Sequence, residues 1–585
     1  MNMIVLVLLG AGLLAMSWHK WMNMALDYGR ELYIPWRITC GQVLYKDIAS
    51  LFGPFPPYCN ALLFKIFGAS IMTLVFFNIL VVLGITVMIY RFFNYTMDQR
   101  TALFTSCAFL VLFAFQQSNL GWDQGNFSYI CPYSYSVTYA VFFSFLGLDR
   151  FLEHDRSGKD VWLAMVGGAI GLTALCRFEI FVCMCLAIIL GLVIKRKPLK
   201  AWILVLAGFS VPIGIAYLYF LTQLPFAQVG GSIFGFNEHW WEIFNQRYYL
   251  LTAGLDNPWA NFKIMLATAA CYGLVVIIFK FLCLGDELLE KKRKQVLGTI
   301  LVIGGMVGIV WVGSLILCLP YNRIFKGMAA IEIFMVGYLT FLLVRHQRDE
   351  PMFGRLFPLW VMAVWGFLML AKVFLNAQTH SEGFVYALPG TLLLVALFQG
   401  FVPQYFERVH QKGHLVKTLA TILLILIFMK GLSSTLLVYQ ARNLYIRSGG
   451  EIMACGKGFK YRPSNEDIAI FINNVDKIMT RNSTFVAFPQ GAMLNFLTKR
   501  INPLPYTNFS TAETVKFGEP EMLRSLKQNR PDYIILAEPV LPLNASHVHV
   551  IYPYLIRAWI LTNYKIVWCA NPRNVDSLTV LKRIL

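Results

Sequence analysis

Asp27, Arg30 and Glu31 fall within one helical turn just past the first apolar run of the chain. A carboxylate held beside a cation and aimed at a hydroxyl is the arrangement of a general base, with Glu31 placed to support or orient Asp27. Asp27 reads equally as a helix cap paired with Arg30 or Arg37. A second acid, Asp123 in SNLGWDQGNFSYICPYSYS, stands in the next long polar stretch. Asp-Gln-Gly-Asn is also plausible turn chemistry; beside Asp27, Asp123 would raise base strength or hold a divalent cation. Two carboxylates alone do not specify a metal, so neither a metal nor another cofactor is predicted. The cations form a second set, suited to charge-assisted hydrogen bonds with a phosphate. Arg177 precedes Glu179 in CRFEIF, Arg323 and Lys326 lie in PYNRIFKG, and Arg247 follows a tryptophan-rich stretch. Lys372, Asn376, His380 and Glu382 recur where little else is polar. Any one of these charges can instead snorkel or pair locally. Arg177 with Glu179 is the pair that reads most simply as structural, and His380 alone reads as a solvated loop residue.

These residues sit between long apolar runs, and the composition says what the runs are. Of 585 residues 57% are hydrophobic and only 14% charged, against roughly a quarter charged in soluble proteins. A soluble globule is excluded. Thirteen runs approach the ~20 residues a helix needs to cross a bilayer: near 3–20, 70–90, 101–117, 136–152, 161–176, 179–194, 201–221, 262–283, 296–319, 324–344, 356–375, 384–401 and 418–438. The expected architecture is a polytopic α-helical membrane protein over 1–439 and a small extramembrane α/β domain over 440–585. The net charge of +19 comes from cations between runs, where membrane orientation demands them, so nucleic acid is not the expected partner. With the N-terminus inside, every second connection is basic: Arg91 and Arg100, then Arg150, Arg156 and Lys159, then 195–200, 291–294, Arg345 to Arg355, and Arg408 to Lys417. That alternation delivers the C-terminal domain to the outer side. Three outer connections are long, at about 21–69, 118–135 and 222–261, and loops beyond ~12–15 residues are usually functional or disordered.

From about 440 the composition turns mixed polar with short β-branched runs. Helices are expected near 465–480, 491–500 and 519–529, with strands at 483–488 and in DYIILA, an α/β layer. Cys455 and Cys569 are its only cysteines, and one bridge between them is open as an expectation in an oxidising compartment.

The layout and the DYGREL…LYKD…GPFPPY loop resemble the C-type glycosyltransferases, specifically the bacterial relatives of protein O-mannosyltransferases and of lipid A aminoarabinose transferases. The resemblance implies a membrane glycosyltransferase that moves a hexosyl or pentosyl group from a polyprenyl-phosphate donor to a lipid, glycan or protein acceptor. It implies a bacterial inner-membrane setting, with the C-terminal domain periplasmic. It makes Asp27 the base by position and Asp123 the matching second acid. The chain departs from that pattern twice: Tyr28 follows Asp27 where many relatives have a second acid, and Phe55 precedes Pro56 and Pro57 where some have a lysine. The phosphate contact must then come from Arg30, Glu31, Arg177, Arg247, Arg323, Lys372, Asn376 and His380. A transporter or flippase is the competing expectation. It would place ionisable groups mid-span, whereas these stand at span ends.

Overall fold

A computed structural model describes residues 2–21, 28–117, 127–235, 240–290, 295–456, 464–537, 553–574 and 577–584, with the backbone alone at 240, 247 and 248. A chain in hydrocarbon must pair its own backbone groups, so apolar runs become helices. Helices occupy all thirteen predicted runs: Asn2–Ser17, Ile71–Thr96, Gln99–Phe109, Tyr135–Ser157, Val161–Ala174, Phe178–Ile194, Leu199–Leu221, Pro258–Glu290, Gln295–Cys318, Met328–Arg345, Glu350–Leu370, Leu388–Ala396 and Gly413–Ala441. Among the described residues eight helical stretches are long and apolar enough to cross a membrane, and four shorter ones are apolar. The protein is a multi-pass helical membrane protein with a small strand-containing C-terminal domain. Pro258–Glu290 has 33 residues, about 50 Å of helix, and so outruns a hydrocarbon core of about 30 Å. Its projecting end carries Asp286, Glu287 and Glu290, which meet Lys412 and His410 at 2.7–3.0 Å.

Among the described residues the long connections at 21–69 and 222–261 are largely helical. The first holds a rim helix, Tyr28–Thr39, and a second helix, Phe55–Phe67. The second helix follows Pro54 and carries Pro56 and Pro57 in its first turn, where a missing N–H breaks no helical bond. The third connection holds Phe226–Phe234, Trp240–Phe244 and Arg247–Ala253. Sequence periodicity hides these helices because they are short and rich in aromatics.

In the C-terminal domain a hairpin, β1 (Leu444–Ser448) and β2 (Glu451–Cys455), precedes a four-stranded sheet of β3 (Phe485–Phe488), β4 (Tyr533–Leu536), β5 (Tyr564–Cys569) and β6 (Thr579–Arg583). The spatial order is β3-β4-β6-β5. The β3 and β4 strands are parallel, Phe485 opposite Tyr533, and buried along their whole length, as a covered parallel pair must be. Helices Asn465–Ile478, Ala492–Thr498 and Glu519–Gln528 lie where the sequence places them. Ser464 and Asp467 form a capping box at the start of the first. Cys455 and Cys569 are free thiols in different sheets.

The domain is fastened to the membrane part mainly through the first long connection. The Asn502 N–H donates to the Tyr33 hydroxyl at 2.8 Å, and Arg37 Nη1 donates to the Asn502 carbonyl at 3.0 Å. The Ala49 N–H donates to the Pro505 carbonyl, Lys516 Nζ to the Ser50 carbonyl, and the Ile71 N–H to Glu451. Gly29 makes the closest approach: a Cβ there would lie 2.1 Å from Met493 N and 2.6 Å from its Cα. Backbone cannot yield as a side-chain tip can. Gly29→Ala is therefore expected to cost about 3 kcal/mol and to loosen the domain, read as a lower unfolding midpoint and faster protease cleavage after residue 442. An unchanged midpoint would remove Gly29 from the interface.

Candidate functional site

The rim helix begins at Tyr28, directly after Asp27, and packs its first turn against the start of helix Tyr135–Ser157. The Tyr28 hydroxyl meets that of Tyr135 at 3.1 Å in a buried contact. Burial pushes the Tyr28 phenol well above its ordinary range. Glu31 Oε2 accepts the Tyr135 N–H at 3.0 Å; a carboxylate there satisfies a free donor and lies at the positive end of the helix. Glu31 Oε1 also meets Arg30 Nε at 3.4 Å, and Arg30 Nη1 meets Glu513 of the C-terminal domain at 3.4 Å. Thus Glu31 and Arg30 are held in a network that joins three parts of the chain.

Phe52 links this network to a deeper one. Its ring centre lies 5.1 Å from the Arg30 guanidinium carbon and 4.1 Å from that of Arg177, both within cation–π reach. Arg177 Nε donates to Glu179 Oε1 at 2.7 Å. The same oxygen accepts from Tyr386 at 3.1 Å and from Lys372 Nζ at 3.3 Å. Lys372 in turn contacts the Tyr386 hydroxyl at 3.0 Å and Glu382 Oε2 at 3.4 Å, while Tyr133 donates to Glu382 Oε1 at 3.1 Å. Arg177, Lys372, Glu179 and Glu382 balance two cations against two carboxylates. Arg177 is nonetheless not saturated, because its Nη1 is buried with no hydrogen-bond partner among the described residues. A buried guanidinium N–H wants an oxygen, and a phosphate supplies one.

A small cleft beside the Arg30–Glu31 network is lined by Arg30, Glu31, Phe52, Pro56, Asn60 and Ser136 among others, and Phe52 is where it adjoins the Arg177 cluster. Among the described residues no three His, Cys, Asp or Glu side chains are grouped as metal ligands.

The structure brings four of the sequence candidates together: Arg30, Glu31, Arg177 and Lys372. The local Arg177–Glu179 pair is present, but Lys372 joins it, which merges two sets the sequence keeps apart. Asn376 acts differently from a phosphate ligand. Its Nδ2 donates to the Leu251 carbonyl at 2.9 Å, and with the Leu375 N–H on the Ala253 carbonyl it fastens the helix Arg247–Ala253. Burial, with Lys326 second, pushes the His380 ring down to about 4, so at neutral pH it adds no charge. Its Nδ1 is sealed from solvent, so it is not the solvated loop residue of the sequence reading. Arg323 is exposed on the short helical turn Tyr321–Phe325. Asp27 and Asp123 lie outside the described residues, as does the side chain of Arg247.

Several residues escaped the sequence. Glu382 stands out in the sequence, but Tyr133, Tyr386, Phe52 and Glu513 carry no spacing that would single them out. Glu332 did carry a signal, being a lone acid inside an apolar run. It is fully buried in Met328–Arg345, both carboxyl oxygens lack a partner among the described residues, and it packs against Gly366 and Gly390.

Fold and site together define a multi-pass membrane protein with a partly buried ion cluster at the ends of its helices. No family model matches the sequence, and no curated protein matches it. Among solved structures the chain resembles the Archaeoglobus fulgidus oligosaccharyltransferase in its apo form, at 12% identity over 91% of this chain and 69% of that one, with a TM-score of 0.47. It also resembles ArnT from Cupriavidus metallidurans bound to undecaprenyl phosphate, at 13% identity over 100% of this chain and 98% of that one, TM-score 0.47, and the same protein in the apo state at 0.45. At this identity and score the likeness carries no argument about chemistry, which rests on the chain's own side chains.

Proposed function

We propose that the chain is a membrane glycosyltransferase that transfers a hexosyl or pentosyl group from a polyprenyl-phosphate donor to an acceptor hydroxyl at the outer face of a bacterial inner membrane. The single observation that carries this reading is the Arg177–Lys372 cluster, a pair of partly buried cations in which one guanidinium N–H has no hydrogen-bond partner among the described residues. In the reaction Asp27 takes the proton of the acceptor hydroxyl. The oxygen then bonds the anomeric carbon as the bond from that carbon to phosphate oxygen breaks. The departing prenyl phosphate is stabilised by Arg177 and Lys372. Direct displacement inverts the anomeric centre. A phosphate leaves without protonation, so one base suffices, unlike glycoside hydrolysis with its two carboxylates. Asp123 supports the base from the second outer connection.

One observation favours the alternative of a transporter or flippase: Glu332, an acid in the middle of a span with no partner among the described residues. It stands alone, however, while the other site groups gather at the outer rim. The test is the mass spectrum of lipid co-purifying with the full chain, before and after Lys372→Met. A prenyl phosphate that is lost in the variant is the expected result. A water-soluble solute retained by both proteins would replace transfer with transport.

A further inference from the structure

Arg177 and Lys372 set two positive charges against the two negative charges of Glu179 and Glu382. A donor phosphate adds negative charge to a set that is already neutral, so one carboxylate has to give ground. The two are not held equally. Glu179 Oε1 accepts from Arg177 at 2.7 Å, from Tyr386 at 3.1 Å and from Lys372 at 3.3 Å. Glu382 Oε2 meets Lys372 at 3.4 Å as an ion contact alone, for it is buried and makes no hydrogen bond among the described residues. Charge-assisted hydrogen bonds are the strong ones, so Glu179 is the costlier to uncouple and Glu382 is the one that yields.

The backbone around Glu382 is shaped to aim it. Ser381, just before it, has a φ of 53°, a left-handed conformation uncommon outside glycine and one that persists where the surroundings fix it. A Cβ on Gly383, just after it, would lie 1.9 Å from the Gln378 carbonyl oxygen, so the turn at 378–383 admits only glycine there. Glu382 Oε1 accepts from the Tyr133 hydroxyl at 3.1 Å. Tyr133 belongs to the long connection that carries Asp123, and this connection lies on the residues that follow Glu382. The Tyr129 hydroxyl donates to the Phe384 carbonyl at 3.1 Å. The rings of Phe127, Tyr129 and Tyr133 lie 5.5–6.0 Å from that of Phe384. One oxygen of Glu382 thus meets the donor cation and the other meets the Asp123 connection.

We propose that Glu382 is a positioning residue that holds the place of the donor phosphate on Lys372, and that its displacement by phosphate is passed to the Asp123 connection through Tyr133. The proposal rests on the reading of Lys372 as a donor-phosphate ligand and adds a linkage between donor occupancy and the second acid. Donor then always binds against Glu382, and relief of that competition tightens it.

The test is equilibrium binding of undecaprenyl phosphate, and in parallel of inorganic phosphate, to the full chain in maltoside micelles. Salt is set at about 0.1 M and about 1 M, where exposed charges are screened beyond roughly 10 Å and 3 Å. Glu382→Gln is expected to bind both probes roughly fivefold to tenfold more tightly at either salt. Tyr133→Phe keeps all four charges and loosens the competitor without removing it, so a smaller tightening of about twofold to threefold is expected. The double variant is expected to bind no more tightly than Glu382→Gln alone, because Tyr133 acts through Glu382. A carboxylate that merely braces the cluster predicts weaker binding, and weaker or unchanged binding in Glu382→Gln overturns the proposal. Tightening that vanishes at the higher salt is long-range charge alone and overturns it too. So does an unchanged Tyr133→Phe or an additive double variant, either of which severs the link to the Asp123 connection. A wild type that binds inorganic phosphate against Glu382 but never undecaprenyl phosphate overturns the donor reading instead.

Discussion

Asp27→Asn is expected to lower sugar transfer by about 10²- to 10⁴-fold while leaving the unfolding midpoint and undecaprenyl phosphate binding at wild-type level. The amide keeps the size and polarity of the side chain and removes only its capacity to take a proton. Its neighbours cannot stand in. The Tyr28 phenol is buried against Tyr135 and held protonated well above its ordinary range by that burial. Glu31 is committed to the Tyr135 N–H and to Arg30. The measurement is turnover of a radiolabelled lipid-linked sugar in reconstituted membranes, and retained turnover refutes the assignment of the base.

The second large effect concerns the ion cluster, where stability and donor binding can be separated. Lys372→Met leaves Glu382 without a cation and Glu179 with one instead of two. Removing one member of a largely buried set costs about 3 kcal/mol, and the affinity for lipid-linked donor is expected to fall about 10- to 100-fold, as for a lost hydrogen bond to a charged group. Pairing the change with Glu382→Gln restores the charge balance. In that double variant the unfolding midpoint should return close to wild type while donor KM stays high and acceptor KM stays unchanged. A cluster that merely braces the fold predicts the opposite, with donor KM recovering together with stability. Steady-state kinetics over a range of donor concentrations decide between them.

The spans were legible because each obeys one rule, an unbroken apolar run, and the strands FVAF and YIIL because they are short and wholly apolar. The hairpin Leu444–Cys455 and the strands Tyr564–Cys569 and Thr579–Arg583 were not, since exposed strand faces carry ordinary polar residues. The site was legible only in fragments. Arg177 and Glu179 announce each other at a spacing of two, but Lys372 reaches Glu179 across 193 positions, and no local pattern encodes that meeting. Glu513 lies in a stretch whose composition is that of any helix start, and only the docking of the domain gives it Arg30 as a partner. Asn376 and Arg323 were chosen for polarity in an apolar neighbourhood. That criterion does not distinguish a side chain that ties down backbone, or one that faces solvent, from one that meets a ligand.

The fastening of the C-terminal domain to the first outer connection fixes an order of events during synthesis. Arg37 and Asn502 are 465 residues apart, and at about 5–20 residues per second the ribosome needs roughly half a minute to a minute and a half to deliver the second after the first. Through that interval the rim helix lacks the partner that bonds its Tyr33 and Arg37. The hollow that Arg30 shares with Tyr506, Asn508, Glu513 and Phe517 is therefore among the last features of the molecule to exist, and a truncated chain that inserts all its helices would still be born without it.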